Sequence, residues 1–388
     1  MFKKTDRTIH HLLAGILILL YLLLVGIHLH RLLLGSKSVF FIVLDLLLLA
    51  LEIAFSYFCQ IPIHELGHLA GGLASGYHFL SLQLHSHMLV RQDGHLRHKR
   101  LYLTYSYGQC LMIPPAMKQG RFPVVLYNLG GAMFNFLFGV LFLALFFFTE
   151  QPMLIASLFF LLGVSGMVFS LFTGIPLHLP QTDTDGYHTL MMHRDPEAMR
   201  SFWVQLKVSE QTVAGVRFRD MPEDWFWIPS PEKMQNSVVA VMSIYMANRL
   251  LDMHAFEEVD FLLREDLLQS RCDIVQLHRG LIYCDLVYLE LIGQNRPERL
   301  QELLSPQQLH FMARLSQIPT VLRTEYVYAL LAEQDFEKAA RCRRQFNIVG
   351  KTYPYRSDLL ADRSLMEVAD QIAYKRFDVL PLDFLFPA

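Results

Sequence analysis

Two histidines and a glutamate in the run His64-Glu65-Leu66-Gly67-His68 are the side chains of this sequence whose spacing best suits chemistry. A helix advances about 100° per residue, so positions i and i+4 share one face. His64 and His68 can then offer two imidazole nitrogens to one Zn²⁺, with Glu65 beside them to accept a proton from water. The competing reading is two histidines and an acid at a membrane boundary with no metal.

Catalytic zinc takes three protein ligands and keeps a position open. Two acids follow the last apolar run, Asp183 and Asp185, in Leu179-Pro180-Gln181-Thr182-Asp183-Thr184-Asp185-Gly186. Two residues apart, they cannot point the same way on a helix. Gly186 permits a close backbone approach after Asp185, which makes Asp185 the expected third ligand. Asp183 is expected to cap the helix that follows.

The elements that must carry these residues are apolar. Hydrophobic residues make up 53% of the 388-residue chain, and its mean hydropathy is +0.29. The apolar residues concentrate in the first 180 or so positions. Leu12 to Leu34 is long enough to span about 30 Å of hydrocarbon and lacks the small-residue cleavage site of a signal peptide. Val39 to Ala74 carries the histidine motif near its end; as one straight helix it would measure about 54 Å. It must therefore tilt, kink at Pro62 or start its span late. Val124 to Phe148 and Met153 to about Leu177 follow, joined at Thr149-Glu150-Gln151-Pro152. Four spans are expected.

Lys3, Lys4 and Arg7 precede the first span, and Arg91, Arg97, Lys99, Arg100, Lys118 and Arg121 lie between the second and third. The other side has Arg31 and Lys37. The positive-inside rule then places both termini, the 77–121 loop and the histidine motif toward the cytosol. A formal charge of −2 leaves no basic footprint for nucleic acid. Five cysteines without CxxC spacing read as free thiols.

Between Tyr77 and Met112 polar and apolar residues alternate, as in Leu80, Leu82, Leu84 and then Leu101, Leu103, Tyr105, Tyr107, with a turn at Gln92-Asp93-Gly94. A β-hairpin is expected, and its edge could hold a substrate backbone by strand addition. Its histidines (His78, His85, His87, His95, His98) match no standard ligand spacing and read as a solvated strand face. Asp45 and Glu52 lie seven apart inside the second apolar segment. Asp45 suits an outer interface, whereas Glu52 could face a water-filled cavity leading to the metal.

After Pro196 the pattern becomes helical without further spans. Trp203, Trp225 and Trp227 are expected to pack this region onto the membrane part. Leu250-Leu251 with Phe256-Glu257 recurs as Leu291-Ile292 with Pro297-Glu298 and as Leu330-Leu331 with Phe336-Glu337. A spacing near 40 suits stacked helical hairpins similar to tetratricopeptide repeats; an ordinary helical bundle is the alternative.

Three blocks of this sequence resemble the site-2 protease family of intramembrane zinc metallopeptidases, over about residues 40–195. The first is His64-Glu65-Leu66-Gly67-His68. The second is Gly131-Ala132-Met133-Phe134-Asn135, and the third is Thr173-Gly174-Ile175-Pro176 with Thr184-Asp185-Gly186. The resemblance implies one Zn²⁺ held by His64, His68 and Asp185, Glu65 as catalytic acid and base, and Asn135 touching substrate or steadying the site. Ala132 stands where the family has proline, Thr173 where it has asparagine, and the gap from Pro176 to Asp185 is long unless Pro180 is the matching proline.

The expected architecture is mainly α: a polytopic membrane helix bundle of about four spans, a small cytosolic β-hairpin region and a C-terminal soluble α-helical domain. Its parts are 1–37 (tail and first span), 38–195 (metalloprotease core, with the hairpin at 77–112) and 196–388 (helical domain). The expected activity is zinc endopeptidase cleavage of membrane-anchored proteins or peptides in a bacterial cell membrane, with a cytosolic protein partner for 196–388. The alternatives are an inactive membrane scaffold recruiting partners through its helices, and a metal transporter, for which only Asp45 and Glu52 offer a path.

Overall fold

A computed structural model describes residues 4–33, 38–100, 108–178, 183–268 and 274–377. The described residues are mainly helical, and among them are four helices long and apolar enough to cross a membrane and a small amount of antiparallel strand. It divides into two compact units, 1–84 with 108–199, and 85–107 with 200–388.

The first unit holds the four long helices: α1 (Lys4–Leu33), α2 (Val39–Ala74), α3 (Val125–Phe148) and α4 (Met153–Gly174). α2 runs its full 36 residues as one helix, with Pro62 inside it. The outer faces of these helices carry exposed Leu, Ile, Val and Phe, such as Leu19, Leu51 and Phe147, as lipid contact requires. Between apolar helices the hydrophobic effect offers little, so close backbone approach must supply the packing. Glycines provide it. A Cβ on Gly67 would run into the Gly130 carbonyl, and one on Gly71 into the Leu126 carbonyl, so α2 and α3 touch backbone to backbone. α3 packs against α4 as well, and α1 against α4.

Strands β1 (His78–Leu84) and β4 (Gly108–Ile113) also belong to this unit and pair antiparallel, with Leu82 opposite Cys110 and a bulge between Phe79 and Ser81. The unit closes with α5 (Asp185–Arg194).

In the second unit β2 (His87–Gln92) and β3 (His95–Arg100) form a hairpin. The turn lies where the sequence places it. Gln92 pairs with His95, and Asp93 and Gly94 take φ values of 52° and 78°, the left-handed pair a tight two-residue turn needs. The expected partner strand Leu101 to Tyr107 lies outside the described residues.

The rest of the second unit is helical. α6 (Pro196–Ala214) leads into it, followed by α7 (Ser237–Asp252), α8 (Phe256–Phe261), α9 (Gln276–Ile292), α10 (Pro297–Leu303), α11 (Pro306–Arg314), α12 (Pro319–Tyr328), α13 (Phe336–Thr352) and α14 (Arg356–Phe377). The sequence repeat has a structural counterpart in three equivalent turns. His254 (φ 59°), Asn295 (φ 52°) and Gln334 (φ 54°) each adopt the left-handed conformation, and in each case the next helix begins two residues later. Leu250-Leu251 and Leu291-Ile292 stand at the ends of α7 and α9, and Leu330-Leu331 lies in the π-helical segment Ala329–Glu333 that follows α12.

Trp203, Trp225 and Trp227 pack on this unit's own cluster of Val204, Val208, Phe218, Met221, Phe226 and Met242. Their rings cover this cluster, to which α6 and α7 both contribute.

Deeper in the unit Arg323 is 1% exposed. Its guanidinium meets Asp285 at 2.8 Å and Asp362 at 3.1 Å and lies over the Tyr288 ring at 4.7 Å. Two carboxylates share one cation there, so burial leaves an excess negative charge. Burial is the larger influence on Asp362 and pushes its carboxyl up to about 6 despite Arg323.

Two outcomes follow from these contacts. Gly71→Ala should lower stability by about 1–3 kcal/mol through overpacking, while Gly26→Ala, which has nothing within 4 Å, should be neutral or stabilising; thermal unfolding in detergent compares them. The raised Asp362 pKa means that the folded unit binds a proton between about pH 6 and about pH 4 that the unfolded chain does not. Stability should therefore rise by up to about 3 kcal/mol as pH falls through that window. Urea unfolding followed by tryptophan fluorescence reads this unit alone, since all 3 tryptophans lie in it, and Asp362→Asn should flatten the slope.

Candidate metal centre

The three expected ligands meet. His64 and His68 project from one face of α2 with their rings 4.6 Å apart and nearly perpendicular. Asp185 arrives from the first turn of α5, with its Oδ2 atom 3.1 Å from His64 Nε2 and 3.7 Å from His68 Nε2. The two Nε2 atoms are 3.1 Å apart. Among the described residues this is the group of three metal-ligating side chains whose donor atoms all lie within 4.8 Å of one another.

The outer ring nitrogens decide what the inner ones present. Asn135 Nδ2, on α3, donates to the Gln60 carbonyl at 3.1 Å and to Gln60 Oε1 at 2.8 Å. Its Oδ1 therefore faces His64 Nδ1, 2.8 Å away, and can only accept. His68 Nδ1 lies 2.7 Å from the Tyr127 carbonyl, also an acceptor. Both Nδ1 atoms carry the hydrogen, so both neutral rings turn an Nε2 lone pair inward. Two lone pairs and a carboxylate oxygen at these separations repel one another unless a cation lies between them. Bonds of about 2.0–2.1 Å to a tetrahedral zinc give ligand-to-ligand edges of about 3.3 Å. The observed edges of 3.1, 3.1 and 3.7 Å bracket that value, and two nitrogens with one oxygen leave a fourth position free. The residues fit zinc.

Comparison with protein families, with curated proteins and with solved structures found no match.

Local sequence explains how Asp185 is delivered. Thr184 is the N-cap of α5 and accepts from the Tyr187 amide. Its hydroxyl also donates to the Ile175 carbonyl at 2.7 Å and accepts from the Leu177 amide at 2.9 Å. One hydroxyl thus ties the start of α5 to the end of α4. Gly186 completes the junction, because a Cβ there would strike the Gly174 carbonyl.

Asp183 is not the cap. It pairs with His178 Nδ1 at 2.6 Å and reaches His188 Nε2 at 3.7 Å, while Thr184 does the capping. An Asp one residue before the cap cannot reach the helix's first amides once Thr184 occupies that position, so it turns to the nearest imidazoles. Thr173, at the departure from the family block, bonds back to Phe169 within α4 at 2.9 Å. Pro180 lies outside the described residues.

Glu65 is buried and lies beneath β4. The Cys110 backbone amide bonds its carboxylate, and a Cβ on Gly108 would lie 2.5 Å from Glu65 Oε1. Burial first, and the Glu65 charge second, push the Cys110 thiol up to about 12, so it stays protonated and is no nucleophile. Among the described residues β4 is an edge strand, with β1 as its strand neighbour. On the β2–β3 hairpin His87 and His98 pair at 2.9 Å in the open, as a strand-face contact.

Sequence reading missed Gln60 and Tyr127. Gln60 stands four residues before His64, and Tyr127 eight before Asn135, so each shares a helix face with a residue already singled out. That spacing was the available signal. The Asn135→Leu variant should lose the His64 tie and bind Zn²⁺ about 10–100-fold more weakly with helix content unchanged; competition against a chromophoric chelator measures it.

Proposed function

We propose that this chain is a zinc endopeptidase working within a membrane, as the likeness to the site-2 protease family implies. The observation that carries the reading is the convergence of His64 Nε2, His68 Nε2 and Asp185 Oδ2, with Glu65 adjacent, inside a bundle of four apolar helices. A Zn²⁺ held by His64, His68 and Asp185 would supply polarisation of a scissile carbonyl and a water made nucleophilic near neutral pH. Glu65 takes the water proton and passes it to the leaving amine. The Cys110 amide fixes the carboxylate that does this. Asn135 and the Tyr127 carbonyl hold the two rings, so Asn135 is a positioning residue.

The substrate is a membrane-anchored protein or peptide. Its helix must open locally, since helical hydrogen bonds conceal the backbone. The edge of β4 away from β1, beside Glu65, is where an opened stretch would be held in extended form. The distribution of basic residues puts the metal centre toward the cytosol in this reading. The three helical hairpins of the second unit form an arm for a cytosolic protein partner. Between the first two, a groove of about 950 Å³ carries Asp260, Arg264, Glu290, Arg296 and Arg299. Release of anchored regulators and trimming of peptide signals both fit this chemistry.

Glu65→Gln keeps the ligands and removes the base. Cleavage should fall by at least about 10²–10⁴-fold with zinc content and protein level intact, and anchored substrates should accumulate in membrane-fraction proteomics. Cleavage that persists in this variant would overturn the reading. A biological effect that persists without any cleavage would favour a scaffold.

A further inference from the structure

One face of α2 carries a polar side chain every fourth residue: Glu52, Ser56, Gln60 and His64, all buried. The last two are accounted for, since Gln60 orients Asn135 and His64 faces the metal site. Glu52 and Ser56 are not. Glu52 is 9% exposed and Ser56 fully buried, and Glu52 Oε1 and Ser56 Oγ have no hydrogen-bond partner. An unpaired carboxylate between apolar spans costs several kcal/mol, so a neighbour must answer it.

That neighbour is reached through a serine. Ser157 Oγ, on α4, donates to Glu52 Oε2 at 2.5 Å, and His28 Nε2, on α1, lies 2.8 Å from the same Ser157 Oγ. The hydroxyl has one hydrogen, committed to Glu52, so His28 must be the donor to it. His28 stacks on Phe160 at 4.6 Å, which holds its ring in place. The chain therefore runs His28 N–H to Ser157 O–H to Glu52 across three helices. Asp45 lies two turns earlier on α2.

We infer that His28, Ser157 and Glu52 form a proton site, in which one proton is shared between imidazole and carboxyl through the serine. In the transfer the His28 Nε2–H bond breaks as a new Ser157 O–H bond forms, and the original Ser157 O–H bond breaks as Glu52 gains its proton. Imidazolium and carboxylate become neutral imidazole and carboxylic acid, and no net charge appears among the spans. Glu52 and Ser56 stand four residues apart on this face of α2, about 6 Å of rise.

The site is separate from the metal centre. Glu52 precedes His64 by twelve residues, about 18 Å of helix. Ser157 lies four residues from the start of α4, whereas the Gly174 end of that helix meets Gly186. Proton exchange at Glu52 is therefore served from the end of the bundle remote from Asp185, and the inference does not depend on peptidase activity.

Infrared difference spectroscopy of the full chain in nanodiscs tests it. Wild type minus Glu52→Gln should show the C=O stretch of one protonated carboxyl, which moves on transfer to D₂O and is unchanged when sodium replaces choline. Ser157→Ala, a second variant that keeps Glu52, should shift that band by removing its hydrogen bond. Absence of the band, failure to exchange deuterium or an unmoved band in Ser157→Ala would overturn the proton site. Loss of the band on adding sodium would do so too, in favour of a monovalent cation.

Discussion

Two hydrogen bonds on the outer edges of two imidazoles govern the centre of this protein. Asn135 Oδ1 and the Tyr127 carbonyl hold the Nδ1 hydrogens of His64 and His68, which leaves two lone pairs facing each other and a carboxylate. Nothing in α2 alone produces that arrangement. It requires α3 at backbone contact, which the glycines of both helices allow. It also requires α5 to begin where Thr184 and Gly186 join it to the end of α4. The architecture of the first unit is thus the set of approaches that bring three donors from two distant segments to edges of 3.1–3.7 Å.

The same bundle has to bury polar groups among apolar neighbours without leaving them unanswered. Three of the four on one face of α2 are met from other helices: Glu52 from α4 and, through Ser157, α1; Gln60 from α4 through the Leu162 carbonyl and from α3 through Asn135; and His64 from α3. These crossings do more than satisfy bonds. Apolar helices slide past one another at little penalty, and directional bonds set their register. A polar seam of this kind fixes which residues face inward.

The second unit packs around buried ion pairs and aromatic side chains. Its repeated left-handed turns at His254, Asn295 and Gln334 return each helix onto its predecessor, and Arg323 with Asp285 and Asp362 sits in its interior. Such a buried ion cluster contributes specificity of packing more readily than net stability. Aromatic residues, the tryptophans included, complete its core.

Much of this was legible in residue order. Uninterrupted apolar length reports a helix able to cross a membrane, because the bilayer sets that length, and α2 matches its expected limits, Val39 to Ala74. An i, i+4 pair on a helix reports a shared face, and Asp93-Gly94 reports its turn, because both rest on local backbone geometry. Contacts between segments were out of reach of such rules. Periodicity does not say that Asn135 would grip His64, that Thr184 and not Asp183 would cap α5, that the tryptophans would close their own unit's core, or that His28 would reach Glu52 through Ser157. Local preferences act along the chain and can be read from it, whereas partner choice depends on which faces meet once the helices have packed. The sequence by itself determined the helices and the chemical types on their faces, and the tertiary structure decided which of those groups stand within bonding distance.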